Sequence, residues 1–373
     1  MNQPLIIGAG PVGLGAAMFL ARQGCLPRVI EKRDAPATLS KALAVNPRTL
    51  TILEPTGLTA TMLEMGHKIR GMQFHRGEQV IVRLTLDDIH PKYPFMLALS
   101  QASTERLLFD AFTAAGGHVE RNVELTACRN VGDHVEAELQ SATGRETVAA
   151  PWLLAADGAH STARHQMNVD FPGSSFADEW NLADVVLKTS LADDFGHVIF
   201  FDHGAFLFMI RVVDDARTED PSRPLWRVMV NRPEPLSYLV DAEVVGEPTW
   251  SSSFRVSHRI NSRLAAGNVY FAGDAAHNHS PMGARGMNLG LEDAHVFDQV
   301  EFFSRLVSET AWYSDLVRRY IFPTLLKTPL QSRIKQTVTG LDHELPSPAI
   351  GNTNKSRSPS PPQETQATLC ATL

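Results

Sequence analysis

The chain has 373 residues, 43% of them hydrophobic and 20% charged, which is typical of a soluble globular protein with room for two domains. Its formal net charge of −7 argues against a nucleic-acid-binding protein, because such proteins usually carry a basic surface. The amino terminus lacks the basic start of a signal peptide, and no apolar run is long enough to span a bilayer, so a cytoplasmic protein is expected. Cys25, Cys128 and Cys370 lack the spacing of a metal or redox site, so reduced thiols and no metal are expected.

A nucleotide-binding pattern opens the chain. A predicted strand at 5–7 leads directly into GAGPVG, then a helix, then a second strand that ends on Glu31. Gly8 permits a tight turn, Gly10 lets a pyrophosphate approach the backbone, and Gly13 lets helix and strand pack closely. Glu31 lies 18 residues beyond Gly13, where it can accept a hydrogen bond from an adenosine ribose hydroxyl. This combination predicts a bound dinucleotide and leaves NAD and FAD open.

The next predicted elements lead to a third strand that ends on an acid. Alternating apolar and polar residues over 71–96 predict a β-hairpin, and a helix with Ser103 as its cap is predicted to end at Gly116. A buried strand then ends on Asp157-Gly158. Asp157 is expected either to bind a ligand at the strand end or to cap the helix that follows.

Residues 171–260 are predicted to form an antiparallel sheet, because alternating runs such as 197–201 and 206–210 are separated by turn residues. We expect this sheet to lie over the nucleotide-binding domain with one apolar, aromatic face. That face can hold a flat apolar substrate or can be plain core, and the sequence leaves both open.

A last strand is predicted at 269–272, and the turn Gly273-Asp274 that follows it places a carboxylate at its carboxyl end. The glycines and proline of 281–286 then predict an irregular loop, and a helix is predicted to begin around 286–288. Backbone N–H groups of this loop and the positive end of the helix would favour a ligand that carries negative charge.

Three segments, taken in order, carry a family resemblance. They are GAGPVG at 8–13 with Glu31, ADGAHSTAR at 156–164 and FAGDAAHNHSPMGARGMNLGLEDA at 271–294; VNPRTL at 45–50 and the segment 100–108 add to them. Together they resemble the group A flavoprotein monooxygenases, the family of para-hydroxybenzoate hydroxylase and related aromatic-ring hydroxylases. The resemblance covers roughly residues 4–335.

The resemblance implies an α/β (α+β) fold in which a Rossmann-like FAD-binding domain is interleaved with an antiparallel-sheet substrate domain and followed by a helical C-terminal segment. The expected boundaries are 1–75, 97–170 and 265–300 for the FAD-binding domain, 76–96 and 171–264 for the substrate-binding sheet, 301–345 for the C-terminal helices and 346–373 for a disordered tail.

The resemblance also implies one FAD, bound without a covalent bond. The residues expected to bind it are Gly8, Gly10, Gly13, Glu31, Lys41, Gln101, Arg106, Asp157, Gly158, Asp274, Pro281, Gly286, Met287 and Asn288. Pro281 and Gly283 are expected at the reactive edge of the flavin. No acid–base residue follows from the resemblance, and His203 and Arg211 are weak candidates for the group that activates the substrate.

In the implied reaction, NADPH or NADH reduces the FAD, and O₂ then forms a flavin C4a-hydroperoxide that delivers one oxygen atom to an aromatic or other electron-rich small molecule. The partners expected are this substrate and O₂, with no nucleic acid and no stable membrane insertion, and the protein is expected to be a monomer or a homodimer.

Two departures from the family pattern accompany this interpretation. Lys41 stands where the family commonly has an Arg, and the loss of the planar guanidinium predicts altered flavin movement. Because the sequence ends soon after the predicted flavin-binding region, we expect neither the C-terminal thioredoxin-like domain of the phenol hydroxylase branch nor dimerisation through that domain.

Other classes of flavoprotein are alternatives to the hydroxylase interpretation. A flavin-dependent halogenase is disfavoured because no W-x-W-x-I-P segment is present. An FAD-dependent reductase or dehydrogenase without oxygen insertion, and a non-catalytic flavin-bound interaction protein, remain as alternatives.

Overall fold

The computed structural model describes residues 3–22, 24–36, 42–214, 223–278 and 284–290, apart from the side chains of 176–178. The predictions that lie outside the described residues are those for Lys41, Pro281, Gly283, the C-terminal helices at 301–345 and the tail at 346–373.

The described residues form many short strands and a few helices. In chain order the strands are β1 (Leu5–Ile7), β2 (Arg28–Glu31), β3 (Ala44–Val45), β4 (His67–Ile69), β5 (Gly71–Arg76), β6 (Gln79–Thr85), β7 (Met96–Ala98), β8 (Val119–Arg121), β9 (Glu124–Val131), β10 (His134–Ser141), β11 (Gly144–Ala150), β12 (Leu153–Ala155), β13 (Gly173–Thr189), β14 (Gly196–Phe200), β15 (Phe206–Val212), β16 (Leu225–Val230), β17 (Ala242–Val244), β18 (Trp250–Ile260), β19 (Ala265–Ala266), β20 (Val269–Phe271) and β21 (His277–Asn278). The α-helices are α1 (Pro11–Arg22), α2 (Pro47–Leu53), α3 (Leu58–Met65), α4 (Gln101–Ala114), α5 (Thr162–Gln166) and α6 (Arg285–Leu289). The predicted mixed α/β character is confirmed.

Six strands form a sheet in the order β19-β20-β12-β1-β2-β8, in which every neighbouring pair is parallel except β19 with β20. The three strands whose ends carry the sequence motifs are β1, β12 and β20, and they are direct neighbours. Ile7 pairs with Ala155, and Ala155 pairs with Phe271. Because parallel strands end at the same edge of a sheet, the loops that follow these three strands meet there.

The two faces of this sheet pack against different layers, because successive side chains of a strand point to opposite sides. Ile6 and Val29 belong to a core with residues of α1 and α4. Ile7 and Ile30 belong to a second core with residues of the antiparallel meander β9-β10-β11.

The largest sheet has nine strands, eight of them in the order β21-β18-β13-β16-β15-β14-β5-β6, with β17 paired to β13. Its pairs are antiparallel except for β14 with β5. The hairpins predicted within 71–96 and across 197–210 are confirmed as β5-β6 and β14-β15. One face carries a core that includes Phe74 and Met229, and the other packs around Trp226 against the segment 236–244.

One local prediction is corrected by the structure, and one is met. Ser100 caps α4, because its backbone is extended and its side chain accepts a hydrogen bond from Ser103 N at 3.0 Å; the prediction of Ser103 as the cap is wrong. Cys128 carries a free, buried thiol, as the expectation of reduced thiols requires at that position.

The described ranges lack two features. No helix in them is long and apolar enough to cross a membrane. They also contain no group of three or more His, Cys, Asp or Glu side chains that could hold a metal ion.

Candidate active site

A cavity of about 670 Å³ lies between the carboxyl edge of the six-stranded sheet and the nine-stranded sheet. Its nucleotide wall consists of Gly8, Gly10, Glu31, Gln101, Glu105, Asp157, Gly158, Asp274, Arg285, Gly286 and Met287. Its apolar wall consists of Met72, Phe74, Val198, Phe200, Phe208, Ile210, Arg227, Met229 and Phe254. The cavity therefore joins the predicted nucleotide site to the aromatic face of the larger sheet.

The loop between β1 and α1 leaves open space beside its backbone. Gly8 has a φ of 99°, and a Cβ there would lie 2.3 Å from the carbonyl oxygen of Ala156. A Cβ at Gly13 would lie 2.0 Å from the carbonyl oxygen of Gly8, so both glycines are needed for close packing. A Cβ at Gly10 would meet nothing within 4 Å. The amino terminus of α1 borders this opening, where its N–H groups and dipole favour an anion.

Glu31 ends β2 and is 6% exposed. Its Oε2 accepts a hydrogen bond from Ala9 N at 2.9 Å, and its Oε1 accepts from Arg33 N at 3.0 Å and from Arg33 Nε at 3.1 Å. Burial opposes ionisation of this carboxyl, but the hydrogen bonds from Arg33 and Ala9 outweigh it, so the pKa of Glu31 lies below its ordinary value. The ionised carboxylate can accept a hydrogen bond from a ribose hydroxyl.

Asp157 serves the helix that follows it and also faces the cavity. Its Oδ2 accepts hydrogen bonds from Thr162 N at 2.8 Å and Ala163 N at 3.3 Å in the first turn of α5, although the N-cap residue of that helix is Ser161. Its Oδ1 is buried and has no hydrogen-bond partner among the described residues. Such an orphaned acceptor is costly unless a bound group donates to it. The adjacent Gly158 has a φ of 82° and open space where a Cβ would point.

Arg164 joins the second motif to the third. Its Nη2 donates to the carbonyl oxygen of Ala159 at 2.8 Å, and its Nη1 donates to that of Ala275 at 3.2 Å. The ring of Phe171 lies 4.0 Å from the guanidinium carbon and covers it. This link holds the loop after β12 next to the exposed Asp274, which places a carboxylate at the rim of the cavity.

The amino terminus of α6 faces the cavity, as the sequence predicts, although the helix begins at Arg285. The preceding Ala284 has a φ of 52°, which turns the chain into the helix. Arg285 is 1% exposed, so its guanidinium is a buried group beside the cavity. A Cβ at Gly286 would meet nothing within 4 Å, which leaves room for a planar ligand against the backbone.

Asn288 fixes this helix to the rest of the site through its side chain. Its Nδ2 donates to the carbonyl oxygen of Ala44 at 2.8 Å. Its Oδ1 accepts from Asn46 N at 3.1 Å and from Thr49 Oγ1 at 2.7 Å. Its Nδ2 also donates to the carbonyl oxygen of Ala284 at 2.7 Å. With 1% exposure and four protein partners, its amide positions the helix and does not line the cavity.

Gln101 and Glu105 lie one turn apart at the start of α4, and both line the cavity. Gln101 Nε2 donates to Glu105 Oε1 at 2.9 Å. Glu105 is 3% exposed, and burial together with the nearby charge of Glu31 raises the pKa of Glu105. Sequence reasoning missed Glu105, although a Gln and a Glu at i and i+4 on a helix form a recognisable pair.

The apolar wall is flat and aromatic, with one charged group inside it. The rings of Phe74 and Phe200 stack with centroids 6.3 Å apart and an interplanar angle of 11°. Arg227 is 3% exposed, and its Nε and Nη2 each donate to a carboxylate oxygen of Asp184 at 2.7 Å. The ring of Trp250 lies 4.8 Å from its guanidinium carbon. Sequence reasoning missed this pair, since the two residues are 43 positions apart and only strand pairing aligns them.

Five of the described predicted site residues do not line the cavity: Gly13 and Asn288, whose packing roles are given above, and Arg106, His203 and Arg211. Arg106 is half exposed on the surface of α4 and lies 3.6 Å from Asp110. His203 lies in an exposed turn between β14 and β15. Arg211 forms an ion pair with Asp193. The structure therefore gives no support for His203 or Arg211 as the group that activates the substrate.

The nucleotide wall fits a flavin dinucleotide. Backbone space is open at Gly10, Gly158 and Gly286, and no described residue donates a hydrogen bond to Asp157 Oδ1. An ionised carboxylate at Glu31 stands at the end of β2, as ribose recognition requires.

Comparison with known proteins agrees with this geometry. Residues 2–298 match the model of a protein family described as FAD binding domain. The chain is 36% identical over 345 residues to 6-methylpretetramide 4-monooxygenase of Streptomyces rimosus, which covers 89% of this chain and 59% of that relative. The chain thus spans about three fifths of the length of the first curated relatives that it matches.

Two solved structures share the fold. The anhydrotetracycline hydroxylase OxyS of Streptomyces rimosus superposes with a TM-score of 0.73 and 25% identity, over 92% of this chain and 77% of that chain. The p-nitrophenol 4-monooxygenase of Pseudomonas putida superposes with a TM-score of 0.76 and 18% identity, over 91% of this chain and 98% of that chain. At 18% identity the second likeness shows the fold alone.

Proposed function

Because this chain belongs to the FAD-binding-domain family of the group A flavoprotein aromatic hydroxylases, we propose that it is an FAD-dependent monooxygenase that hydroxylates an aromatic small molecule with NADPH or NADH and O₂. One observation carries the proposal: a single cavity is lined on one side by a dinucleotide cradle and on the other by stacked aromatic side chains. A protein that only stored flavin would have no need for the second wall.

The nucleotide wall has the groups that each part of FAD needs. The open backbone at Gly10 and the amino terminus of α1 would hold the pyrophosphate, and Glu31 would bind the adenosine ribose. Asp274 would bind the ribityl chain or a phosphate at the rim. The start of α6 would lie against the flavin ring, where its N–H groups stabilise negative charge. Bound FAD supplies the redox chemistry with O₂ and the reduced nicotinamide nucleotide.

The apolar wall supports a flat, multi-ring substrate. Phe74 and Phe200 present nearly parallel rings, and Met72 and Met229 add flexible apolar surface around them. The names of 6-methylpretetramide 4-monooxygenase and of the anhydrotetracycline hydroxylase point to fused-ring polyketides as substrates of those two relatives. We infer the same chemical class for this chain, ahead of single-ring phenols.

The protein contributes orientation and exclusion of water. Arg227 is the buried cation of the apolar wall, and Asp184 holds its guanidinium in one orientation. A ketone, enol or phenolate oxygen of the substrate would be attracted to that cation, which would turn one ring edge towards the flavin. The surrounding Phe and Met side chains keep the reacting groups away from bulk water.

The test uses the full chain, purified with its flavin. NADPH and NADH oxidation is followed with fused-ring polyketides, phenols and aromatic acids, and the products are analysed by mass spectrometry under ¹⁸O₂. A substrate that accelerates NAD(P)H oxidation and gains one ¹⁸O atom supports the proposal. Substrate-stimulated oxidation with no ¹⁸O in any product would identify a reductase instead, and flavin binding with no stimulation would identify a non-catalytic flavoprotein.

A further inference from the structure

Two buried carboxyl groups line the nucleotide wall, and they differ in the number of hydrogen bonds that they accept. Glu31 is 6% exposed and accepts four hydrogen bonds from N–H groups of Ala9 and Arg33. Glu105 is 3% exposed, and its hydrogen bond in the described ranges is the one that its Oε1 accepts from Gln101. Oε2 of Glu105 therefore has no donor from the described part of the chain.

No cation within the described residues forms an ion pair with Glu105. Arg33, after β2, directs its Nε and Nη2 to Glu31 at 3.1 and 3.4 Å. Arg121, on β8, lies near the ring of Phe109 with its guanidinium carbon 6.0 Å from the centroid. Both arginines lower the pKa of Glu105, but burial and the charge of Glu31 outweigh them and raise it.

The other elements around Glu105 add no compensating charge. The helix α1 packs against α4, and within its residues the charged side chain is Arg22, at its last position, where it donates to the carbonyl oxygen of Pro55. On α4 itself, the neighbouring Arg106 faces Asp110 on the surface. A ligand that brings a pyrophosphate into this cavity adds two further negative charges beside a carboxyl group that is already poorly compensated.

We propose that Glu105 is a cofactor-positioning residue that binds FAD in its protonated form, with Oε1 accepting from Gln101 and the hydroxyl at Oε2 donating to the cofactor. FAD binding is coupled to the uptake of one proton: the ionised carboxylate of Glu105 in the FAD-free protein takes up H⁺ from solvent as FAD binds, and releases it as FAD leaves. Glu31 keeps its negative charge and Glu105 loses its own, so one wall offers both an acceptor and a donor. FAD affinity then depends on pH through this one group.

This inference depends on FAD binding and not on the monooxygenase reaction. The experiment follows release of flavin from the full-length holoprotein on dilution, using the fluorescence of free flavin, from about pH 5 to about pH 9, the upper end of the range known for buried glutamates. The Kd of the wild-type protein is expected to rise by up to about tenfold per pH unit once the pH exceeds the pKa of Glu105 in the FAD-free protein. Because no turnover is measured, the outcome is independent of whether any substrate is hydroxylated.

Glu105→Gln keeps the shape of the side chain and a neutral donor at the same place. Its Kd for FAD is expected to be constant across the window in which the wild-type Kd rises, and to equal or fall below the wild-type value at alkaline pH. Glu124→Gln is the matched control, since Glu124 is an exposed carboxyl on the same cavity, and it is expected to keep the wild-type profile.

Three results would overturn the proposal. They are a wild-type Kd that does not change with pH, a Glu105→Gln variant that keeps the wild-type slope, and a Glu105→Gln variant that binds FAD more weakly at every pH. The first needs no variant, so a folding defect in Glu105→Gln would still leave the proposal open to refutation.

Discussion

Glycine backbone and acidic side chains shape most of the nucleotide wall, and they come from three motifs that are each continuous in sequence, whereas large side chains from several strands shape the apolar wall. The nucleotide wall depends on the local backbone conformation that each loop can adopt. The apolar wall depends on how strands distant in sequence are paired. The two walls should therefore fail in different ways when single residues are changed.

The largest effect is expected on the apolar wall, from removal of the carboxylate that holds Arg227. Asp184→Ala should lower the free energy of unfolding by about 4 kcal/mol, because it takes both of its oxygens away from a buried guanidinium. Urea denaturation measures this loss. Asp133→Ala is the control, since Asp133 is fully exposed, and it should leave the urea midpoint unchanged. A loss below about 1 kcal/mol in Asp184→Ala would show that the pair contributes little to stability.

A pair of glycines tests the nucleotide wall. Gly13→Ala should cost about 3 kcal/mol of stability, because its Cβ would lie 2.0 Å from the carbonyl oxygen of Gly8. Gly10→Ala should fold with a change below about 1 kcal/mol, since its Cβ would enter open space, but should bind FAD at least about tenfold more weakly. Thermal unfolding and flavin fluorescence separate the two effects. Unchanged FAD affinity in Gly10→Ala would place the pyrophosphate elsewhere.

Acid should weaken the larger sheet before it weakens the nucleotide wall. His75 Nε2 and His197 Nδ1 lie 3.0 Å apart, and both rings are buried. Burial lowers the pKa of both, that of His197 from 6.5 to about 4. The unfolded chain therefore binds more protons, and this stability is present above pH 6.5 and lost as the pH falls towards 4. Glu31, with a pKa below its ordinary value, loses its contribution only at lower pH.

The measurement is urea denaturation between pH 6.5 and pH 4, where the His197 ring alone should account for a loss of about 2 kcal/mol. His197→Gln removes the titrating ring and keeps a polar side chain, so its stability should fall less steeply with acid. Equal slopes for the two proteins would show that other groups control the acid response.

The smallest effect is expected from trimming the apolar wall beside the substrate. Phe200 lines the cavity, whereas the next residue, Phe201, packs on Tyr238 with ring centroids 5.5 Å apart. Phe200→Ala should lower kcat/KM for the best substrate roughly tenfold, or about 1.5 kcal/mol, through lost contact with the substrate. Phe201→Ala should leave kcat/KM within about twofold. Equal losses in both variants would mean that the aromatic wall acts only through the stability of the sheet.

The nucleotide wall was largely predictable from the sequence. The turn at Gly8, the acid at Glu31 and the cavity-facing start of α6 follow from residue types whose backbone or charge requirements are local. Even here, local competition misled the prediction of the helix cap, because Ser100 and Ser103 are both good caps and only the backbone geometry selects between them.

The order and spacing of glycines and acids by themselves predicted a dinucleotide site, and in combination they identified the family of this chain. Tertiary structure alone decided which side chains pair in and around the cavity: Asp184 with Arg227, Phe74 with Phe200, and Glu105 close enough to Glu31 to feel its charge. The physical reason is the sequence separation of the residues that specify each feature. A glycine turn is specified within a few residues, whereas a wall made of strand side chains exists only once the register of distant strands is set.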